Sequence, residues 1–337
     1  MTRVAVATID DRQQMETSVP VDHLWRRVLS NRRVLLGGIL LLIVVGMCVG
    51  SLPWTLNEES RYQYDRQDYM LPEQPPAWRM HEDPLDQNSP LIDSRAYIFG
   101  TDKLGRGILG RCLMGGTISL SVGVAAAMIS VILGVTVGML AGYRGGWVDA
   151  ALMRFVDVLY GLPYILLVIL LKIAFEPALE RLLGTKSSAN IVTMFVAIGL
   201  VSWLTMARVV RGQVLSLRSQ PFIEACRAMG LPERRIFFRH ILPNLVGVVI
   251  VYATLTVPVA VLQEAFLSFL GIGVAAPMPS WGSLAAEGVP QAFQPMKSGW
   301  WMLAFPCIFL AVTLLCLNFV GDGLRDIFDP KREAAKI

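Results

Sequence analysis

The sequence predicts an all-α membrane protein that crosses the bilayer six times. Three observations carry this reading: the composition, a set of six long apolar runs, and the placement of basic residues between them. Of the 337 residues, 54% are hydrophobic and 17% charged. The mean hydropathy is +0.53, and together these exceed the apolar share of an ordinary globular domain and exclude a soluble enzyme as the default. A net charge of +4 gives no argument for nucleic acid as a partner, because in a membrane chain the distribution of Lys and Arg among the loops matters more than their sum.

A helix needs about 20 mostly apolar residues to cross the hydrocarbon core. The candidates run from Val34 to Leu52, Ile118 to Ala141, Phe155 to Ile173, Ile191 to Ala207, Leu245 to Ala265 and Trp300 to Val320. Pro163 and Pro258 fall in the third and fifth. Each removes a backbone donor, which a membrane helix tolerates where its surroundings satisfy the freed carbonyl, and both read as ordinary kinks rather than gating hinges. The second run places Gly134, Gly138 and Gly142 on one face. Small residues at that spacing let helix backbones approach closely in lipid, so this face requires a partner helix, either in this chain or in a second subunit.

With the amino terminus inside, most of the 30 Lys and Arg fall on the cytoplasmic side. They form four groups: Arg3 to Arg33, then Arg144 and Arg154, then Arg208 to Arg239, then Arg325 to Lys336. Both termini are therefore expected in the cytoplasm. The division that follows is a cytoplasmic tail over 1–33, a first helix over 34–52, a long outer loop over 53–117, a five-helix core over 118–320, and a second cytoplasmic tail over 321–337. No small-x-small site closely follows the first apolar run, so that run is expected to stay as a span rather than be cleaved.

The cytoplasmic segment 219–243 is punctuated as two short helices with a turn between. Pro221 suits a first helical position, Phe222, Cys226 and Met229 are expected to share an apolar face, and Gly230 supplies a left-handed cap. Pro232 opens a second helix with Glu233 in its first turn and Arg239 and His240 near its end, and Pro243 is expected to stop it before the fifth span. A short helix with apolar anchors flanked by charges suits another protein's groove. The arginines alone would also suit a loop resting on anionic lipid, but that role does not require Glu224, Gly230 and Leu242-Pro243 to keep their spacing.

Signals for catalysis are missing from the sequence. It has no Gly-x-x-x-x-Gly-Lys-Ser/Thr loop to cradle phosphates. His23, His81 and His240 lie in separate segments without metal-ligand spacing, and the five cysteines, Cys48, Cys112, Cys226, Cys307 and Cys316, read as small apolar residues. No cofactor is expected. Glu264, near the outer end of the fifth span, is the most suggestive ionisable residue; it either holds a structural partner or lines a solute path. Arg154 and Asp157 are expected to pair along one helix, and Lys172 lies close enough to a span end to snorkel.

Glu224-Ala225-Cys226-Arg227-Ala228-Met229-Gly230, closed by Ile241-Leu242-Pro243, resembles the cytoplasmic Glu-Ala-Ala coupling loop of ABC importer permeases. Phe99-Gly100-Thr101-Asp102-Lys103-Leu104-Gly105-Arg106 resembles a signature of the C-type permease subunit of the dipeptide, oligopeptide and nickel family. Further matches to that family are Glu264 to Gly273 with Pro279-Ser280-Trp281-Gly282, and Asn318 to Asp326 with Asp329-Pro330. The chain departs from the pattern at Gly107 and Thr117, where members usually carry Asp and Arg, and at Cys226, which replaces the loop's second alanine.

The resemblance implies the architecture of a type I ABC importer permease in the bacterial inner membrane. It further implies a coupling loop at 219–243, with Phe222, Glu224, Ala225, Cys226, Met229, Gly230, Leu242 and Pro243 facing an ATPase. The implied partners are two cytoplasmic ATPase subunits, a homologous second permease, an extracytoplasmic solute-binding protein and membrane lipid. The implied cargo is peptide, with nickel as another solute of the family. The segment around 57–93 is then either a solvated linker or an extra contact for the solute-binding protein. The competing class is an ion-coupled secondary transporter, which would ordinarily show buried acids within discontinuous spans.

Overall fold

The computed structural model describes residues 32–69, 71–79, 97–294 and 299–328. The expectations for the tails up to residue 31 and from residue 329, including Asp329-Pro330, and for His23 and His81, lie outside the described residues. Helices make up the described chain in the order α1 (Arg32–Gly50), α2 (Leu52–Thr55), α3 (Ile108–Arg144), α4 (Gly146–Tyr160), α5 (Tyr164–Leu183), α6 (Lys186–Arg218), α7 (Pro221–Ala228) and α8 (Glu233–Ile236). A π-helical turn over Phe237–Ile241 follows, then α9 (Leu242–Phe269), α10 (Trp281–Ala292) and α11 (Trp300–Phe328).

Five stretches are long and apolar enough to cross a membrane: α1 with α2, α3, α6, α8 continuing into α9, and α11. The pair α4 and α5 is long and apolar enough only when taken together, and it is bent by 98° at the break between them, the geometry of a broken span or of a re-entrant loop. The expected span from Phe155 to Ile173, read as one helix kinked at Pro163, is therefore corrected to two helices that meet at a sharp break. The reason is local: Pro163 has no amide hydrogen and takes an extended conformation (ψ 125°) before α5, while Gly161 ends α4 with its amide on the Asp157 carbonyl. Pro258, by contrast, lies inside an unbroken α9.

The 37-residue α3 starts at Ile108, ten residues before the expected boundary, and at a helical rise reaches about 55 Å. It is the central post of the bundle. Its glycine face packs on α6 of the same chain, which answers the question left open by the sequence. A Cβ added at Gly138 would lie 2.5 Å from the Ala207 carbonyl oxygen, and one at Gly134 2.5 Å from the Met206 Cβ. Such backbone proximity is the basis of helix association in lipid, where apolar side chains gain little by leaving the tails. Away from this contact, large apolar side chains face outward, among them Leu36, Leu42, Met128 and Ile132.

The described part of the 57–93 segment carries more structure than a solvated linker. The Tyr64 amide donates to the Thr55 carbonyl at 3.2 Å, Thr101 to Gln74 at 3.0 Å and Glu73 to Asp102 at 2.9 Å. The described part of the 57–93 segment is thus pinned to the core because its backbone groups find partners there. The sequence reading also missed α10 as a helix. Its start is marked by a capping box in which Ser280 and Ser283 exchange side-chain and backbone hydrogen bonds.

Candidate functional site

The knob over 219–243 begins where Gln220 takes an extended conformation (ψ 142°) and Pro221 opens α7. It ends on Gly230, whose φ of +73° is the left-handed geometry glycine adopts without a Cβ clash. The Leu231 amide donates to the Cys226 carbonyl at 3.1 Å and the Gly230 amide to Arg227 at 2.9 Å. These are the two hydrogen bonds of a Schellman cap.

The expected apolar face is only partly correct. Cys226 is buried, but beside Ile223, in a cluster with Val214 of α6, Ile236 of α8 and Leu245 of α9. Phe222 is 39% exposed and Met229 72% exposed. Met229 is the C-cap residue, with ψ 2°, so it leaves the helical progression that the spacing assumed. Cys226 therefore anchors the knob to its own protein, while Phe222, Glu224, Ala225, Met229 and Gly230 form its outer surface. Ile223 was overlooked, although its i, i+3 spacing from Cys226 was visible.

A second correction concerns Pro243. It does not stop the helix but sits in the first turn of α9, which continues from α8 through the π turn. The wider turn places the Leu242 amide on the Phe237 carbonyl. The Asn244 side chain donates to the His240 carbonyl at 2.6 Å, satisfying backbone that an irregular turn would leave bare. Leu242 is half-buried and Pro243 exposed. Tyr143 of α3 donates its hydroxyl to the Glu233 carbonyl at 2.9 Å, and Arg218 of α6 donates to the Tyr143 carbonyl at 2.9 Å. Both long helices thus brace the knob.

At the broken crossing, Asp157 of α4 accepts a hydrogen bond from Arg208 of α6 at 2.8 Å, correcting the expected pairing with Arg154. The separation along the chain favoured Arg154, but α6 packs beside α4 and brings a guanidinium to the carboxylate. A cavity of about 540 Å³ opens between the break, α6 and α9. Its wall includes Tyr160, Tyr164, Ser202, Thr205, Tyr252 and Gln263.

Glu264 is fully buried. It accepts hydrogen bonds from Ser119 of α3 at 2.7 Å and from Ser268 at 2.6 Å, so it clasps α9 to α3. Lys172 does not snorkel; it donates to the Ile272 and Gly273 carbonyls at 2.5 and 3.0 Å, capping the chain after α9.

The Phe99–Arg106 stretch builds an ion cluster that the sequence did not disclose. Asp102 accepts from Arg106 and Arg111, each at 2.7 Å, and Arg111 also reaches Glu287 of α10 at 2.6 Å. Burial opposes the charge on Arg106, yet Asp102, Glu287 and Asp65 hold the guanidinium above its ordinary range. Gly107 caps α3 in an extended conformation, and the Thr117 hydroxyl donates to the Leu113 carbonyl at 3.2 Å.

Residues 134–334 match the family described as binding-protein-dependent transport system inner membrane component. The oligopeptide transport system permease protein OppC of Haemophilus influenzae is 47% identical over 235 residues, 70% of each chain. OppC of Escherichia coli K12 is 42% identical over 306 residues, 91% of this chain and 90% of that one. The dipeptide transport system permease protein DppC of Bacillus subtilis is 44% identical over 246 residues, 73% of this chain and 72% of that one. Among solved structures, a chain of the inward-facing MetNI methionine ABC transporter superposes with a TM-score of 0.51 at 18% identity, covering 63% of this chain and 94% of that one. That likeness shows the fold.

Proposed function

The chain belongs to the family of binding-protein-dependent transport system inner membrane components, and from this premise we propose that it forms half of the translocation path of a peptide importer and docks its ATPase through the 219–243 knob. The chain is the non-catalytic permease subunit of an ABC transporter, and ATP is hydrolysed by separate subunits. It resides in the inner membrane and works with ATPase and solute-binding partners. In the arrangement proposed, two ATPases lie beneath this subunit and a homologous second permease, both termini face the cytoplasm, and a solute-binding protein delivers peptide from outside. Peptide as cargo follows from the oligopeptide and dipeptide permeases it resembles.

One observation carries the docking assignment. Ile223 and Cys226 hold the knob to the core while Phe222, Glu224 and Met229 are left outside, an anchored helix with uncovered apolar and acidic side chains. ATP-driven closure of the motor would move this knob. Because it is braced by α3 and α6, the motion would reach the bundle as rigid-body rocking.

The test uses the assembled complex. Phe222→Ser with Met229→Ser should weaken co-purification with the ATPase and lower peptide uptake. Gly230→Val should do the same by straining the left-handed cap, at a local cost of at least about 1 kcal/mol. Full association and uptake in all of these variants would refute the docking site. Uptake that fails when the proton gradient is collapsed at constant ATP would favour the ion-coupled alternative. For orientation, a cysteine at Gln74 should label from outside and one at Arg234 only from inside.

A further inference from the structure

An open groove of about 570 Å³ runs between the last third of α3 and the π turn that joins α8 to α9. Its wall changes character along α3. Val135, Thr136, Met139 and Leu140 belong to the apolar stretch of a helix long enough to cross a membrane. The one hydroxyl among them, on Thr136, is spent on the Ile132 carbonyl. Across the groove stand Phe237, Phe238 and Leu242. Tyr143 packs edge-on against Phe237 and Phe237 against Phe238, each pair with 5.0 Å between ring centroids, so the aromatic side is fixed in place. Nine residues beyond Val135, about 13 Å along the helix, α3 ends at Arg144 and the wall becomes charged.

The Tyr143 hydroxyl, bonded to the Glu233 carbonyl at 2.9 Å, sets the first turn of α8 against the end of α3. The residue after each of these partners is an arginine, Arg144 on α3 and Arg234 on α8. Both line the groove and both are exposed. Arg208 and Arg211 of α6 are neutralised by Asp157 and Asp149, whereas Arg144 and Arg234 have no ion pair among the described residues. Glu233 is the one acid among the lining residues. Two cations against one anion leave the charged end positive.

We propose that this groove holds one anionic phospholipid, with an acyl chain along Val135, Leu140 and Phe238 and the phosphate at the Arg144 and Arg234 end. A wall that is apolar at membrane depth and basic where the helix leaves the membrane has the polarity of such a lipid. Basic pockets between membrane helices on the cytoplasmic side take anionic headgroups, and guanidinium groups suit phosphate oxygens. A soluble partner would meet only the charged end, because the wall from Leu140 back to Val135 belongs to the crossing stretch. A neighbouring apolar helix would cover that stretch and leave both arginines without an anion. Glu233, Arg234 and the π turn supply the second wall, so the bound lipid ties the knob to α3, and π-helical turns recur at functional sites. The site rests on the membrane placement of the chain, and its assignment to the cytoplasmic leaflet rests on the orientation proposed above.

The experiment places the full complex, with second permease and ATPases, in nanodiscs of dioleoylphosphatidylcholine containing a minor share of dioleoylphosphatidylglycerol. A photoreactive benzoylphenylalanine replaces Leu140, and mass spectrometry identifies what it crosslinks. Phosphatidylglycerol should be captured well beyond its share of the bilayer. The same probe in place of Met128, an exposed residue of α3 outside the groove, should capture the two lipids in proportion. Arg144→Gln and Arg234→Gln should each cut the enrichment at position 140 about 5-fold, while Arg144→Lys and Arg234→Lys keep most of it. Glu233→Gln should raise it. Arg235→Gln, outside the groove wall, should leave it unchanged, and an equal loss there would reduce the effect to diffuse attraction and overturn the proposal. Glycerophosphoglycerol, the headgroup without chains, should not compete. Full competition by it, no enrichment in the parent complex, no change in either arginine-to-glutamine variant, or crosslinks from position 140 to the second permease or the ATPase would each overturn the proposal. If the chain fails to assemble with its ATPase, the same measurement on this subunit alone separates the two readings: enrichment there keeps the lipid site while the docking assignment falls, and its absence removes the site.

Discussion

The Arg208 guanidinium lies 3.9 Å from the centroid of the Tyr160 ring and hydrogen-bonds Asp157 at 2.8 Å. One side chain of α6 thus grips the last turn of α4 immediately before the chain bends by 98°. The grip is half-exposed, with Arg208 37% and Asp157 59% open at the side chain, so its ionic part is screened. The stacking part depends on a planar cation over a ring.

Arg208→Ala should therefore cost only about 1 kcal/mol of global stability, while loosening the break locally. A thermal melt of the purified protein should shift by a few degrees at most. A cysteine at Leu162 should react faster with a soluble maleimide in the Ala variant than in the parent. Arg208→Lys, which keeps the charge and loses the planar stack, should fall between them. Equal labelling rates in all three would show that Arg208 does not hold the bend.

The α3 and α6 interface should tolerate no added volume. A Cβ at Gly138 meets the Ala207 carbonyl oxygen at 2.5 Å, and backbone cannot step aside as a side-chain tip can. Gly138→Ala should destabilise by about 1–3 kcal/mol. Gly212→Ala is the control, since nothing lies within 4 Å of its added Cβ, and it should be neutral or stabilise by up to about 1 kcal/mol. Thermal unfolding in detergent reads both. A Gly138→Ala protein as stable as the Gly212→Ala protein would contradict the packing described.

Glu264 should behave as a structural clasp rather than a charge. Glu264→Gln keeps an acceptor for Ser119 or Ser268 and should cost little. Glu264→Leu leaves both hydroxyls buried without it, at about 2–4 kcal/mol for the pair. If uptake instead fell sharply in a Glu264→Gln complex of unchanged melting temperature, the carboxylate would belong to the transport path.

Sequence alone determined the features that depend on local chemistry or on the bilayer. The apolar runs announced the crossings because lipid demands about 20 apolar residues per helix, and Pro221 and Gly230 announced the knob because φ restrictions act within a residue or two. Four-residue glycine spacing announced a close helix contact. Tertiary structure decided the rest, because partners distant in the chain compete with near ones. Asp157 took Arg208 over Arg154 once α6 lay beside α4. Cys226 turned inward with Ile223 because Val214, Ile236 and Leu245 converged there. Pro243, a stop signal by local rules, was absorbed by a π turn that joins α8 to α9. The third crossing looked continuous because hydropathy measures the apolar character of a segment and carries no record of its direction; only packing against α6 and α9 shows where the chain bends and what cavity the bend encloses.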